Sequence, residues 1–129
     1  MGLDMYLSGR QFNHIFDEQE AEYLDGKQIK AVEVDLGYWR KHPNLHGFIV
    51  NTFANGIDEC QRIELGVEEL NKIIQAIKDR SLPHTEGFFF GKSEISDEQV
   101  KADVSIFEDA LRWITQDKRL RYAVYQASW

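Results

Sequence analysis

Pro43 marks the boundary on which the organisation of this chain depends. Before it, apolar and polar residues alternate over residues 28–36, which is the period of a half-buried strand. Proline suits the first turn of a helix, where its missing N–H leaves no hydrogen bond unmade. We therefore expect a strand over residues 28–36, a helix over about residues 43–54, and a short junction of large polar and aromatic side chains over residues 37–42.

The same two periods predict the other elements. Further strands are expected at residues 3–7, 57–65, 87–91 and 120–129. Further helices are expected at residues 67–81 and from Ser96 onward, where Ser96 and Gln99 have the spacing of a capping box. This order indicates an α+β fold with one domain over residues 1–129, in which a mixed or antiparallel sheet of about four to five strands is covered by about three helices.

Residues 10–27 do not show either period clearly. Their acidic residues are not interleaved with basic ones over residues 17–25, which is typical of a solvated segment. Phe12, Ile15 and Phe16 would attach it to the body of the protein as a packed loop. The alternative is a flap over a site, because long irregular segments in small domains are often functional. Both interpretations stay open at this point.

Composition narrows the classes of function. The 129 residues carry a formal charge of −7 with a pI near 5.0, so direct nucleic-acid binding through neutralised phosphates is not expected. A single cysteine, Cys60, fits a reducing compartment. The chain has no apolar run of membrane-spanning length and no basic-then-apolar N-terminus, so we expect a cytoplasmic protein with no membrane contact.

Motifs of the common enzyme and metal-binding classes are missing from the sequence. It holds no Walker loop, G-x-G-x-x-G, H-E-x-x-H, G-x-S-x-G or EF-hand loop. His42 and His46 are four residues apart, but Pro43 places His42 at the helix cap and no third ligand follows, so neither a metal nor another cofactor is expected. A Cys60–His46 nucleophile pair is disfavoured because acidic neighbours oppose a thiolate.

The candidate site is a composite of the junction and the two chain ends. If the first strand, the junction, the 87–91 strand and the last strand meet at one end of the sheet, their side chains line an aromatic pocket. Arg40 and the N-terminus of the first helix then suit an anionic ligand. The candidate ligand-binding residues are Asp4, Tyr38, Trp39, Arg40, His46, Phe89, Tyr125 and Trp129. The alternative is that the aromatic residues only close the core and that Arg40 is solvated.

Several stretches together match a known pattern. They are GLDMYL at residues 2–7, GYWRK at 37–41 followed by Leu45 and His46, GFFFG at 87–91, and YQASW at 125–129. In combination they resemble a family of small bacterial and bacteriophage hypothetical proteins, over nearly the whole chain. The resemblance implies a phage or phage-infected microbial source. It implies no activity, because none is assigned to that family.

Three functions stay open. The leading hypothesis is a noncatalytic accessory protein that binds a host protein or a small anionic ligand through Arg40 and the aromatic residues. The first alternative is a small enzyme that uses His46 as acid or base, since histidine titrates in the useful pH range. The second alternative is an acidic mimic of nucleic acid, in which carboxylates stand in for phosphates. The oligomeric state stays open as well.

Overall fold

Three helices and two antiparallel sheets make up the part of the chain that the computed structural model describes, residues 2–13, 21–86, 93, 95–118 and 120–129. The strands are β1 (Asp4–Phe12), β2 (Tyr23–Leu24), β3 (Lys27–Gln28), β4 (Ala31–Arg40), β5 (Ile63–Leu65) and β6 (Arg121–Ser128). The helices are α1 (Pro43–Phe53), α2 (Val67–Lys78) and α3 (Asp97–Thr115). The expected α+β class is confirmed.

The main sheet has the strand order β4-β1-β6-β5, and every pairing in it is antiparallel. The last strand therefore lies in the interior of the sheet. Neighbouring residues of a strand point to opposite faces, so Met5 and Trp39 enter the core while Tyr6 and Tyr38 remain 45% and 48% exposed. The helices pack on the buried face, and the opposite face carries the exposed aromatic residues.

Two strands run further than their sequence pattern predicts, and each continues through a glycine. At Gly9 in β1, an added Cβ would lie 2.6 Å from the Trp113 ring, and at Gly37 in β4 it would lie 2.5 Å from Ile106. These glycines admit side chains of α3 against the sheet rather than ending the strands. The expected end of β1 near Gly9 is therefore wrong.

The junction between β4 and α1 is also shorter than expected. The pairing of β1 with β4 shifts register between Leu7 and Ser8, so β4 gains one residue there and continues to Arg40. Only Lys41 and His42 remain between the strand and the helix. Tyr38, Trp39 and Arg40 belong to the end of a strand, and the prediction of a turn there is wrong.

The helix boundaries follow local chemistry. Pro43 occupies the first helical position of α1, as predicted. Ser96 caps α3, and its side chain accepts the backbone N–H of Gln99 at 3.2 Å. The Gln99 side chain makes no return bond to the Ser96 backbone, and its amide donates to Asp103 at 2.7 Å. Helix α2 ends at Lys78 and not near Ser81.

The remaining expectations concern the segments around the sheet. The core is one cluster that draws on β1, β4, β5, β6 and all three helices. Within residues 10–27, the start belongs to β1 and the end to the β2–β3 hairpin. Residues 14–20 lie outside the described residues, as does the predicted strand at 87–91, so the choice between a loop and a flap stays a prediction. None of the described helices combines the length and the apolar composition that crossing a membrane requires.

Gly47 in α1 faces the segment that follows α2. The backbone N–H of Thr85 donates to the Asn44 side chain at 2.9 Å, which holds that segment against the helix. A Cβ on Gly47 would lie 2.2 Å from Oγ1 and 3.1 Å from Cβ of Thr85. Close approach by a neighbour therefore explains a glycine at a helical position that otherwise favours alanine.

We expect Gly47→Ala to lower the free energy of unfolding by about 1–3 kcal/mol, because the added methyl group forces Thr85 away from α1. In a Thr85→Gly background all the contacting atoms are gone, so Gly47→Ala should be neutral or stabilise by up to about 1 kcal/mol. Urea unfolding of the four proteins measures this coupling. An equal loss in both backgrounds would contradict the contact.

Candidate functional site

A buried carboxylate connects β4, α1 and α3. Asp103 is 2% exposed. Its Oδ1 accepts the indole Nε1 of Trp39 at 2.8 Å and the amide of Gln99 at 2.7 Å, and its Oδ2 lies 2.7 Å from Nε2 of His42. Burying an unpaired carboxylate is very unfavourable. The donors from these side chains replace its hydration and fix its orientation.

His42 extends this group to a serine. Its Nδ1 lies 2.8 Å from Oγ of Ser93, which also accepts the backbone N–H of Asn44 at 2.9 Å. An ionised carboxylate only accepts hydrogen bonds, so His42 donates Nε2–H to Asp103. In the neutral imidazole, Nδ1 then accepts the Ser93 hydroxyl. Ser93 thereby caps α1, whose own N-cap residue His42 makes no side-chain cap.

A pocket of about 180 Å³ opens beside this group, between the N-termini of α1 and α3 and the C-terminus of α2. We call it the three-helix pocket. Its polar lining consists of His42, Asn44, Arg80 and Asp103. Its apolar lining consists of Ile77, Leu82, Ile95 and Val100. Apolar walls with a few convergent polar groups are typical of small-molecule sites.

A second histidine chain lies one helical turn further along α1. Nδ1 of His46 lies 2.5 Å from the Tyr125 hydroxyl, and Nε2 lies 2.9 Å from Oδ2 of Asp58. Burial, and then the nearby Asp58 carboxylate, raise the pKa of Tyr125 well above its ordinary value. The hydroxyl therefore stays protonated. In the neutral imidazole of His46 it donates to Nδ1, and Nε2–H donates to Asp58. His46 is 2% exposed and lies inside the core.

The predicted site residues are divided between the two faces of the sheet. On the exposed face, Asp4 lies opposite Arg40 in the register of β1 and β4. The Tyr38 hydroxyl donates to the Asp4 carboxylate, and this hydrogen bond raises the pKa of Tyr38. On the covered face, Trp39 packs against Phe107 with ring centroids 5.2 Å apart.

The other predicted residues gather around α1. Rings of Tyr125 and Trp129 lie 5.9 Å and 5.8 Å from the His46 ring. Phe89 falls outside the described residues. The structure thus brings together His46, Tyr125 and Trp129 as one group, and Asp4, Tyr38 and Arg40 as another.

Most residues of the three-helix pocket are not among the candidate residues that the sequence predicts. Asp103 occupies a position of the buried stripe of α3 that also contains Phe107, Ala110 and Ile114. A carboxylate in register with an apolar helical stripe is a signal that would have identified it. His42 was considered only as a metal ligand, and Ser93 and Arg80 carry no local signal. Among the described residues, no group of three side chains is placed to hold a metal ion.

Comparison with known proteins adds no relative. Neither the family models, nor the curated proteins, nor the solved structures gave a match to this chain.

We expect the stability of the protein to fall as the pH rises above about 10, in part because of Tyr125. Its folded-state pKa is raised from 10.0, so the unfolded chain releases this proton first. The stabilisation is complete below pH 10 and declines above it by at most about 1.4 kcal/mol per pH unit. Urea unfolding between about pH 8 and 11 should show a shallower decline for Tyr125→Phe than for the wild type.

The matched control is Tyr23→Phe, since Tyr23 is 59% exposed. This variant should retain the wild-type decline above pH 10. Parallel curves for the wild type and Tyr125→Phe would contradict the buried, protonated hydroxyl. At neutral pH, Tyr125→Phe should lose about 1–3 kcal/mol because Nδ1 of His46 is left without its donor.

Proposed function

We propose that this protein is an accessory protein that binds a small carboxylate with an apolar body in the three-helix pocket. One observation carries the proposal. The pocket combines apolar walls with Arg80 and the N-terminus of α1, while the negative charge of Asp103 is already matched by donors from Trp39, Gln99 and His42. The polar groups left for a ligand therefore favour an anion.

The N-terminus of α1 also favours an anionic ligand. A helix N-terminus carries a partial positive charge that acidic residues of the first turn usually balance. The first turn of α1 contains no acidic residue. Asn44, in that first turn, lines the pocket. A carboxylate in the pocket would supply the missing negative charge.

Arg80 supplies a second positive group for an anionic ligand. Its guanidinium pairs with Asp97, but the two side chains are 55% and 80% exposed. A surface ion pair of this kind is worth at most about 1 kcal/mol. Exchanging Asp97 for the carboxylate of a ligand therefore costs little, and the planar guanidinium suits two parallel hydrogen bonds.

The volume of the pocket limits the size of the apolar part of the ligand. Cavities of roughly 150 Å³ lined by aliphatic side chains hold one benzene ring. The three-helix pocket has a volume of about 180 Å³ and is lined by Ile77, Leu82, Ile95 and Val100. A single ring or a short acyl chain fits that volume. Benzoate is the simplest probe with both features.

The other expected functions stay predictions. Both ring nitrogens of His46 are engaged inside the fold, by Tyr125 and Asp58, which favours a structural role over acid–base catalysis at that residue. Binding of a host protein would use the exposed face with Tyr6 and Tyr38. Mimicry of nucleic acid rests on the net charge alone. Our proposal also includes that the protein comes from a phage or a bacterium and acts in the bacterial cytoplasm.

Titration with benzoate and with its neutral analogue benzamide tests the proposal. In two-dimensional amide NMR, benzoate should shift the resonances of Ile77, Val100 and Asn44, and it should bind more tightly than benzamide. Arg80→Gln should weaken benzoate binding by roughly 10- to 100-fold, because a hydrogen bond to a charged group contributes about 1.5–3 kcal/mol.

The control is Arg62→Gln, which removes another exposed arginine that pairs with Glu33 at 2.6 Å and does not line the pocket. It should leave benzoate affinity unchanged. Equal binding of benzoate and benzamide, or equal losses in the two arginine variants, would overturn the proposal.

A further inference from the structure

The hydroxyl of Ser93 is the end of a chain of hydrogen bonds that begins at the buried carboxylate. Asp103 accepts Nε2–H of His42 at 2.7 Å, and Nδ1 of His42 faces Ser93 Oγ at 2.8 Å. Both His42 and Asp103 line the three-helix pocket. Ser93 itself is not a lining residue, but His42 and Asn44, its two hydrogen-bond partners, both line the pocket. A nucleophile, a base and a group that orients the base are therefore connected at the edge of a cavity of about 180 Å³.

We propose that Ser93 is a nucleophile and that the three-helix pocket hydrolyses small carboxylic esters. This inference rests on the proposed function, because the carboxylate that the pocket binds is then the acid product of the reaction. It adds covalent chemistry that ligand binding alone does not require. The substrate class is an ester whose acyl part is a single ring or a short chain.

The roles of the two ring nitrogens of His42 suit the reaction. The nitrogen without hydrogen, Nδ1, faces the hydroxyl, and the N–H at Nε2 faces Asp103. Serine hydrolases place these roles on the opposite ring nitrogens, but the chemistry requires only a basic nitrogen at the hydroxyl and a donor at the carboxylate. Trp39 and Gln99 hold the other oxygen of Asp103 at 2.8 and 2.7 Å, so the carboxylate keeps His42 in this tautomer.

The reaction proceeds in two balanced halves. The Oγ of Ser93 adds to the ester carbonyl as its proton passes to Nδ1 of His42, and the alcohol then leaves with that proton when its C–O bond breaks. Water next adds to the acyl group and gives a proton to Nδ1. Breaking the Oγ–acyl bond returns the proton to Ser93 and releases the carboxylic acid.

The N-terminus of α1 stabilises the charge that develops. The backbone N–H of Asn44 lies 2.9 Å from Oγ of Ser93, at the positive end of the helix. This N–H donates to Oγ itself, so it stabilises the negative charge that grows on Oγ as its proton passes to His42. A fixed donor at that atom needs no reorganisation during the reaction.

Two measurements on the intact chain test the inference. Diisopropyl fluorophosphate should add covalently to Ser93, as located by peptide mass spectrometry of the wild type. The wild type should also hydrolyse p-nitrophenyl butyrate. Ser93→Ala should abolish the labelling and lower the hydrolysis rate by at least about 100-fold. Asp103→Asn should lower kcat more than it changes KM, because the main role of Asp103 is to orient His42 through Nε2–H.

Ser105→Ala is the matched control, because Ser105 is an exposed serine of α3. It should retain both labelling and hydrolysis. Loss of the cap at α1 should lower the melting temperature of Ser93→Ala by only a few degrees, and labelling of the wild type does not depend on any variant folding.

The outcomes separate the two proposals. Absence of label on Ser93, or equal hydrolysis by the wild type and Ser93→Ala, overturns the hydrolase even if benzoate binds. Benzoate binding that Arg80→Gln weakens, with no label, leaves the binding function in place. Labelled Ser93 without benzoate binding supports the nucleophile and overturns the carboxylate pocket.

Discussion

The carboxylate of Asp103 is the constraint on which the arrangement around the pocket depends. It lies in the core, where an unpaired charge would destabilise the fold, and it is tolerated because donors arrive from Trp39 in β4, Gln99 in α3 and His42 at the start of α1. Moving any one of these elements would remove one of the three donors. The fold is therefore locked at the point where α1 leaves the sheet.

The same hydroxyl–imidazole–carboxylate arrangement occurs twice along α1, one helical turn apart. At His42 the order is Ser93, imidazole and Asp103, and one turn later at His46 it is Tyr125, imidazole and Asp58. In both, a hydroxyl donates to Nδ1 and Nε2–H donates to a carboxylate. The surroundings differ. His42 lines the pocket, whereas the chain at His46 is enclosed by the sheet and the ring of Trp129. The arrangement at His46 is thus structural, and the one at His42 is open to a ligand.

The predictability of the site from sequence differs from residue to residue. Pro43 and Ser96 acted through their own backbone and their immediate neighbours, so the starts of α1 and α3 were predictable. Gly9 and Gly37 were misread as strand ends, because the side chains of α3 that fill the space above them are distant in sequence. Ser93 meets His42 across 51 positions, and no local pattern indicates that contact.

The sequence by itself determined the α+β class, the helix starts and the buried faces of the main elements, because periodicity and capping act within a few residues of the chain. Only the tertiary structure decided that Trp39 turns inward to Asp103, that Tyr38 turns outward to Asp4, and that a pocket opens beside His42. The physical reason is that a bulge in β4 and the packing of α3 set which side chains face each other. Such long-range contacts depend on strand register, which no short stretch of sequence encodes.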